Sequence, residues 1–425
     1  ENYLANGLWH HNTGLGKTLM ELEWARNVAA YTNKPVLVFA PLAVSAQHVR
    51  EGAHFGVPAY LARDQDDVRG GPHSFVTNYQ KMAHFDLSQF GGIVLDESSV
   101  LKNVDGHYRS RLIEECAQIP FRLAATATPA PNDFMELGNH AEFLGVMSYT
   151  DMLATYFTHD GSETQKWRLK GHAENEFWRW LASWAVMLQK PSDLGYDNAG
   201  YDLPPLNQTQ HVASVPYAPN LDSGLLFPME ATSLSERIGA RRASVEDRVK
   251  VAIDITPSDK PFVWWCNLNT ESEALKAAIP GAVEITGSES DEAKERKLID
   301  FSEGRIRVLV TKSKIAGWGM NWQHCADTGF IGASDSFESV YQSIRRFWRF
   351  GQTKPVNVHF VTAETEGAVV ANFRRKEQDA ERMAAAMLAH MTDLSAKNIR
   401  GMERTVADYN PQQPIIIPSW LEYAS

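Results

Sequence analysis

The sequence predicts an α/β protein of two tandem lobes, each a parallel sheet flanked by helices, with a helical insertion between them and a C-terminal helical tail. Three observations predict it. Continuous apolar runs of strand length, such as PVLVFAP at 35–41 and IVL at 93–95, alternate with amphipathic stretches, as in a parallel sheet covered on both faces. The alternation gives way to helical and linker-like sequence over 134–260 and resumes at PFVWWCNL, 261–268. The first half alone carries a glycine-rich loop ending in Gly-Lys-Thr. These breaks divide the chain into lobe 1 (1–133), an aromatic-rich helical insertion (134–205), a linker with a connecting helix (206–260), lobe 2 (261–365) and a helical tail (366–425).

Composition bounds the class. The 425 residues suffice for two or three domains, and 44% hydrophobic with 22% charged residues is ordinary for a soluble globular chain. Three scattered cysteines, Cys116, Cys266 and Cys325, form no paired spacing, which argues against a disulfide framework or zinc knuckle and for a reducing, cytoplasmic setting. No apolar run approaches the ~18 residues of a membrane span, and no signal-peptide pattern opens the chain. A formal net charge of −11 argues against coating nucleic acid by bulk attraction but leaves room for a local basic groove. The first residue is Glu1, so the chain reads as a fragment or processed product.

In order, YLANGLWHHN supplies a short strand ahead of the loop Thr13, Gly14, Leu15, Gly16, Lys17, Thr18. Backbone N–H groups of such a turn wrap phosphate oxygens, the lysine ammonium reaches the terminal phosphates and the hydroxyl reaches magnesium. Leu19, Leu22, Val28 and Tyr31 then space an amphipathic helix, whose N-terminus favours anions. His10 and His11 lack a nearby third ligand and read as solvated. Ile93, Val94 and Leu95 form a buried strand delivering Asp96 and Glu97 at its C-terminal end, one carboxylate to hold magnesium and the other to orient or deprotonate an attacking water. Further pieces of the first lobe are a strand at SFVTNYQKM (74–82), a helix over 108–118 and RLAATATPAPND (122–133).

In the insertion, Phe177, Trp180, Leu181, Trp184 and Leu188 recur at helical spacing; a base-stacking surface is conceivable, but a stripe packed into a core is preferred. LPPL at 203–206 punctuates a linker. Arg237, Arg241 and Arg242 on the following charged helix are either a solvated face or a phosphate contact. The second lobe runs through VEITGS, DEAKERKLIDF, RIRVLVTKS, KIAGWGMNW, DTGFIGAS, VYQSIRRFWRFGQ and VNVHFVT. It has no phosphate loop, so it completes the first lobe's site. Ile415, Ile416, Ile417 and Trp420 are expected to dock the tail.

Taken as a set, these motifs resemble superfamily 2 helicase-type ATPases, and within them the Swi/Snf-like DNA translocases, especially compact forms from bacteriophages and prophages. TGLGKT resembles motif I, FAPLAV Ia, VTNY Ib, LDESSVLKN II and ATATPAPN III; PFVWWCNL resembles IV, SKIAGWGMNW V and QSIRRFWRFGQTKPV VI. Gln342, Arg346, Arg349, Gly351 and Gln352 match the pattern QxxxRxxRxGQ, the most branch-specific piece. The resemblance covers nearly the whole chain. It implies two RecA-like lobes, with ATP bound by the loop together with Gly317 and Gln342, and Mg²⁺ held by Thr18 and Asp96. It also implies water activation by Glu97 and arginine fingers at Arg346 and Arg349, two guanidinium groups three residues apart on a helix. Pro41, Thr77, Asn78, Thr126, Thr128, Gly319 and Asn321 fall at positions that grip nucleic acid or couple it to the nucleotide. The motif II histidine is replaced by Ser99, His11 and Asn12 stand where acidic residues are usual, Ala316 replaces a glycine, and the adenine-reading motif would lie upstream of Glu1.

The resulting expectation is an ATP-dependent translocase on duplex DNA, sequence-independent and salt-sensitive. A strand-separating DNA or RNA helicase and a non-catalytic nucleic-acid clamp are the alternatives.

Overall fold

The computed structural model describes residues 6–11, 16–102, 107–130, 133–159, 167–188, 190–194, 196–198, 201–214, 242–316, 321–332, 336–363, 375–379 and 381–389. The first lobe contains strands Gly7–His11 (β1), Val36–Ala40 (β2), Tyr60–Leu61 (β3), Ser74–Asn78 (β4), Gly92–Asp96 (β5) and Phe121–Thr126 (β6). Its helices are Lys17–Thr32 (α1), Leu42–His54 (α2) and His107–Cys116 (α3). Strands β2, β4 and β5 are buried at every residue; β2 is accordingly apolar throughout and β5 is apolar up to its terminal Asp96, whereas β4 carries the buried polar residues Ser74, Thr77 and Asn78. The two-residue period of a strand still sorts their side chains: Val36, Val38 and Ala40 pack with Leu22, Ala25 and Val28 of α1, whereas Leu37 and Phe39 face the opposite core.

Beyond β6 the chain forms Leu137–Leu144 (α4), Tyr149–Tyr156 (α5), the antiparallel pair Phe157–His159 (β7) and Trp167–Leu169 (β8), Glu174–Trp184 (α6) and Ala185–Leu188 (β9). Here the structure corrects the expectation of a purely helical insertion. Strand β9 pairs in parallel with β1 and completes a seven-stranded sheet, β3-β4-β2-β5-β6-β1-β9. The sequence concealed it because AVML follows an aromatic helix without a break and reads as its last turn. Phe177, Leu181 and Trp184 are buried in the first lobe's core, as the stripe reading expects, and Trp180 packs against it half-buried; Trp178, outside that stripe, is buried with them, and Leu188 lies on β9 instead of the helix.

The second lobe comprises Leu206–Ala213 (β10), Val245–Ile255 (α7), Phe262–Cys266 (β11), Asn269–Ala278 (α8), Ala282–Glu284 (β12), Asp291–Ser302 (α9), Val308–Thr311 (β13), Ser313–Ala316 (α10), Asp327–Ile331 (β14), Phe337–Ile344 (α11) and Val356–Ala363 (β15). Six strands pair in parallel as β10-β15-β14-β11-β13-β12. Strand β10 falls where a linker is expected: it is an edge strand, mostly exposed and polar, so it carries no apolar signal. Trp264 packs on the face covered by α7 and α8, and Trp265 and Trp322 on the face covered by α9 and α11. Glycine at 329 is required, because a Cβ there would stand 2.3 Å from the Trp264 ring.

Residues 381–389 are helical and return to the first lobe, where Met383, Ala384 and Met387 enter its core and Arg382 pairs with Glu174 of α6. Arg237, Arg241 and the tail residues Ile415, Ile416, Ile417 and Trp420 lie outside the described residues. Among the described residues no helix is long and apolar enough to cross a membrane.

Candidate active site

Parallel sheets place ligand sites beyond the C-terminal ends of their strands, and the predicted residues gather there. Helix α1 begins at Lys17 after Gly16, whose φ of 77° is a left-handed conformation suited to glycine. No side chain caps this helix among the described residues, and its first turn carries no acid, so its N–H groups and dipole are available to an anion. The Lys17 ammonium lies 2.8 Å from Asp96 Oδ1 and 2.9 Å from Glu97 Oε1. Burial would lower its pKa, but the carboxylates of Asp96 and Glu97 hold it well above the usual lysine range. Thr18 follows on the same turn; Thr13, Gly14 and Leu15 lie outside the described residues.

Asp96 ends β5, and Glu97 just beyond it has φ 55°, a left-handed conformation uncommon for a side-chain-bearing residue and of the kind stored at functional sites. Burial raises the Glu97 pKa against the pull of Lys17, moving the carboxylate towards the range of a working base. Burial also pushes Asp96 up, but Lys17 and His48 outweigh it and hold Asp96 below the usual carboxylate value. Thr126 at the end of β6 sets its hydroxyl 3.5 Å from Glu97 Oε2 and accepts the Thr128 N–H at 3.0 Å, so the third motif is wired to Glu97. The Tyr79 hydroxyl donates to the Asp96 carbonyl at 2.7 Å, fixing the strand end.

The second lobe reaches this cluster through Arg346. Buried between the lobes, it lies close enough to Glu97 and Asp96 for their charge to act on it; burial and then Arg349 bring its pKa down to about 10 against those carboxylates. Arg346 is anchored on Gln342, donating from Nε to the carbonyl at 3.1 Å and from Nη2 to Oε1 at 3.3 Å. Two details differ from the sequence reading. Helix α11 ends at Ile344, so both arginines sit in the turn after it, where Arg346, Phe347 and Gln352 donate to carbonyls three and Trp348 to one four residues back. Arg349 does not join Arg346 on the carboxylates: it hydrogen-bonds Asn321 Oδ1 and feels the charge of Glu51 on α2.

The remaining predicted positions divide. Pro41 precedes α2, and the Ser45 hydroxyl donates to its carbonyl at 3.2 Å. Thr77 and Asn78 at the end of β4 and Thr128 are buried, with Thr77 Oγ1, Asn78 Oδ1, Thr128 Oγ1 and Gln342 Nε2 lacking hydrogen-bond partners among the described residues. Gly317 and Gly319 lie outside the described residues.

Sequence reasoning missed three sets of residues. Glu21 of α1 and His48 of α2 are buried against Asp96. His140 of α4, buried, sets Nε2 3.1 Å from the Ser98 hydroxyl, directly behind Glu97. Lys102, near the end of the second motif, pairs with Glu338 of α11 across the lobes. Only Glu21 left a signal, being four residues after Lys17 and so on the same helix face.

No protein-family model matches the sequence, and no curated protein does. Among solved structures the chain is similar to Dbp5 of S. cerevisiae bound to RNA and ADP BeF3, at 11% identity and a TM-score of 0.55 over 90% of this chain and 89% of that one. It is also similar to the Sulfolobus solfataricus SWI2/SNF2 ATPase core in complex with dsDNA (17% identity, TM-score 0.41, 93% and 92% covered) and the Pyrococcus furiosus Hef helicase domain (12%, 0.47, 88% and 95%). The sheet orders and the Dbp5 likeness define a protein of two tandem RecA-like lobes. That fold is the one it shares with Dbp5.

Proposed function

We propose that this chain is a nucleic-acid-stimulated ATPase of the Swi/Snf-like type, moving along duplex DNA by opening and closing its two lobes. The observation that carries the reading is the convergence of Lys17, Asp96 and Glu97 from one lobe with Arg346 from the other. The motif set adds the Swi/Snf-like branch, and the Dbp5 neighbour in the same fold is bound to RNA and a nucleotide complex.

The residues fit a magnesium nucleotide. The uncapped α1 N-terminus and the Lys17 ammonium suit phosphate oxygens, and Thr18 with Asp96 would hold the ion, which when bound draws charge from the transferring phosphoryl group. Lys17 would exchange its carboxylate partners for phosphate. Glu97 accepts the proton of the attacking water as its oxygen bonds to phosphorus and the bond to the leaving oxygen breaks. Arg346 neutralises the equatorial oxygens at that moment, so turnover requires closure. Thr126 and Thr128 carry the state of Glu97 towards neighbouring strand ends, where Thr77 Oγ1 and Thr128 Oγ1 are buried without hydrogen-bond partners among the described residues.

The test is phosphate release with single-stranded DNA, duplex DNA, forked DNA and RNA at two salt concentrations, beside Lys17→Ala. Duplex-stimulated, salt-sensitive release that Lys17→Ala abolishes is expected. No stimulation by any nucleic acid, or activity that survives Lys17→Ala, overturns the proposal. Triplex displacement without fork unwinding distinguishes translocation from strand separation.

A further inference from the structure

Beneath the contact between Lys17 and its carboxylates lies a second buried cluster, which shares Asp96 with the ATPase reading and adds two residues that reading does not use. Glu21, His48 and Asp96 come from α1, α2 and the end of β5, and one donor atom from each falls within 4.8 Å of the others. His48 Nε2 stands 3.2 Å from Glu21 Oε2 and 3.4 Å from Asp96 Oδ2. Its Nδ1 stands 3.1 Å from the Val44 carbonyl. A carbonyl only accepts, so Nδ1 carries a hydrogen and Nε2 is the atom turned on the two carboxylates. A bare lone pair there would face negative oxygens, so a cation of some kind belongs between them.

A proton on Nε2 fills this role only in part, although burial is outweighed by the Glu21 and Asp96 carboxylates, which raise the His48 pKa to about 9. It reaches one oxygen at a time, and Glu21 Oε1, fully buried, has no hydrogen-bond partner among the described residues. A metal ion serves all three groups. Ligands about 2.1 Å from an ion stand about 3.0 Å apart at octahedral and about 3.4 Å apart at tetrahedral angles, which brackets the spacings around His48. The Nδ1–H contact to a backbone carbonyl is the outer-shell bond that orients metal-bound histidines.

We propose that Glu21, His48 and Asp96 bind a first-row divalent transition-metal ion, separate from the magnesium that accompanies a nucleotide. Two carboxylates with one imidazole suit Mn²⁺, Fe²⁺ or Zn²⁺, whereas Mg²⁺ favours oxygen ligands and water. The two ions would use opposite sides of Asp96, since Oδ1 faces Lys17 and Oδ2 faces His48. The ion would therefore fix the carboxylate on which the nucleotide site depends.

The test uses the full chain without nucleotide or nucleic acid, so its outcome is independent of the ATPase reading. Mn²⁺ is titrated against the protein in excess Mg²⁺ and followed by electron paramagnetic resonance. One saturable Mn²⁺ per chain is expected, with nitrogen modulation from a single imidazole. His48→Gln and Glu21→Gln should each weaken it at least tenfold, whereas Thr18→Ala should leave it in place. The parent spectrum needs no variant to fold, and near-ultraviolet circular dichroism checks that the variants do. Absence of saturable binding, bound Mn²⁺ without nitrogen coupling, or unchanged binding in folded His48→Gln overturns the proposal.

Discussion

Arg346→Ala is the perturbation that most directly tests the cleft. The guanidinium is buried between the lobes on two hydrogen bonds to Gln342, beside Glu97 and Asp96. Its charge is therefore poorly screened, and the neighbouring Arg349 is engaged with Asn321 and cannot replace it without leaving that bond. Arginine fingers contribute about 10³ to 10⁵ in turnover, or about 4 to 7 kcal/mol at 1.36 kcal/mol per decade. The expected result is a loss of at least about 10³ in nucleic-acid-stimulated kcat. Arg346→Lys should recover only part of it, because an ammonium keeps the charge but not the planar fork. A second signature follows from Glu97, whose pKa burial raises and Lys17 and Arg346 lower. Removing Arg346 pushes Glu97 higher still, so the acidic limb of the residual pH–rate profile should move to higher pH. Steady-state phosphate release from pH 5 to 9, with thermal unfolding as the check on folding, measures both. A folded Arg346→Ala protein turning over within tenfold of the parent would refute the arrangement.

Three further outcomes follow from contacts outside the reacting groups. Burial holds His140 neutral with its pKa down at about 4, so the unfolded chain binds the extra proton between about pH 6.5 and 4 and stability falls as pH drops through that window, by on the order of 3 kcal/mol; His140→Gln should flatten the pH dependence of urea unfolding there, and an unchanged slope would discount the burial. Gly329→Ala drives a Cβ into the Trp264 ring and should lower the urea midpoint by the equivalent of about 1–3 kcal/mol; an unchanged midpoint would show that the ring can move aside. Lys102→Glu should open the lobes, as read by fluorescence energy transfer between labels on each, and adding Glu338→Lys should close them again; failure of the double swap to restore transfer would mean that the pair is incidental.

How far the sequence revealed the molecule depended on what each segment buries. Strands covered on both faces announced themselves, because β2, β11 and β5 as far as Asp96 have no solvent side and are apolar. Edge strands did not: β10 is polar and exposed along most of its length, and β9 is four residues continuous with an aromatic helix. The same distinction governs the site. Lys17, Asp96 and Glu97 were legible because a phosphate loop and a strand-end carboxylate pair are local patterns. His48, His140 and Glu338 act through partners 48, 42 and 236 positions away, at Asp96, Ser98 and Lys102, distances that no periodicity or spacing encodes. Arg346 was legible as a motif but not as a geometry: the pattern suggested two arginines projecting together from a helix, and the helix stops two residues earlier.

That early stop separates the two arginines' tasks. Had α11 continued, Arg346 and Arg349 would lie on one face and compete for the same carboxylates. Ending the helix at Ile344 lets Arg346 turn towards Glu97 while Arg349 reaches Asn321, at the far side of the motif V loop, and Glu51 on α2. One cation then answers to Glu97 and Asp96 and the other to the loops beside them, and both sit in the turn that directly follows the helix Glu338 ties to Lys102, five residues beyond Glu97. A change at the strand end is thereby passed to both arginines through α11 and the hydrogen-bonded turn after it. This predicts that Arg349→Ala, unlike Arg346→Ala, will cost less in basal turnover than in its stimulation by nucleic acid. Equal losses in the two, measured with and without duplex DNA, would show that the arginines act as one group after all.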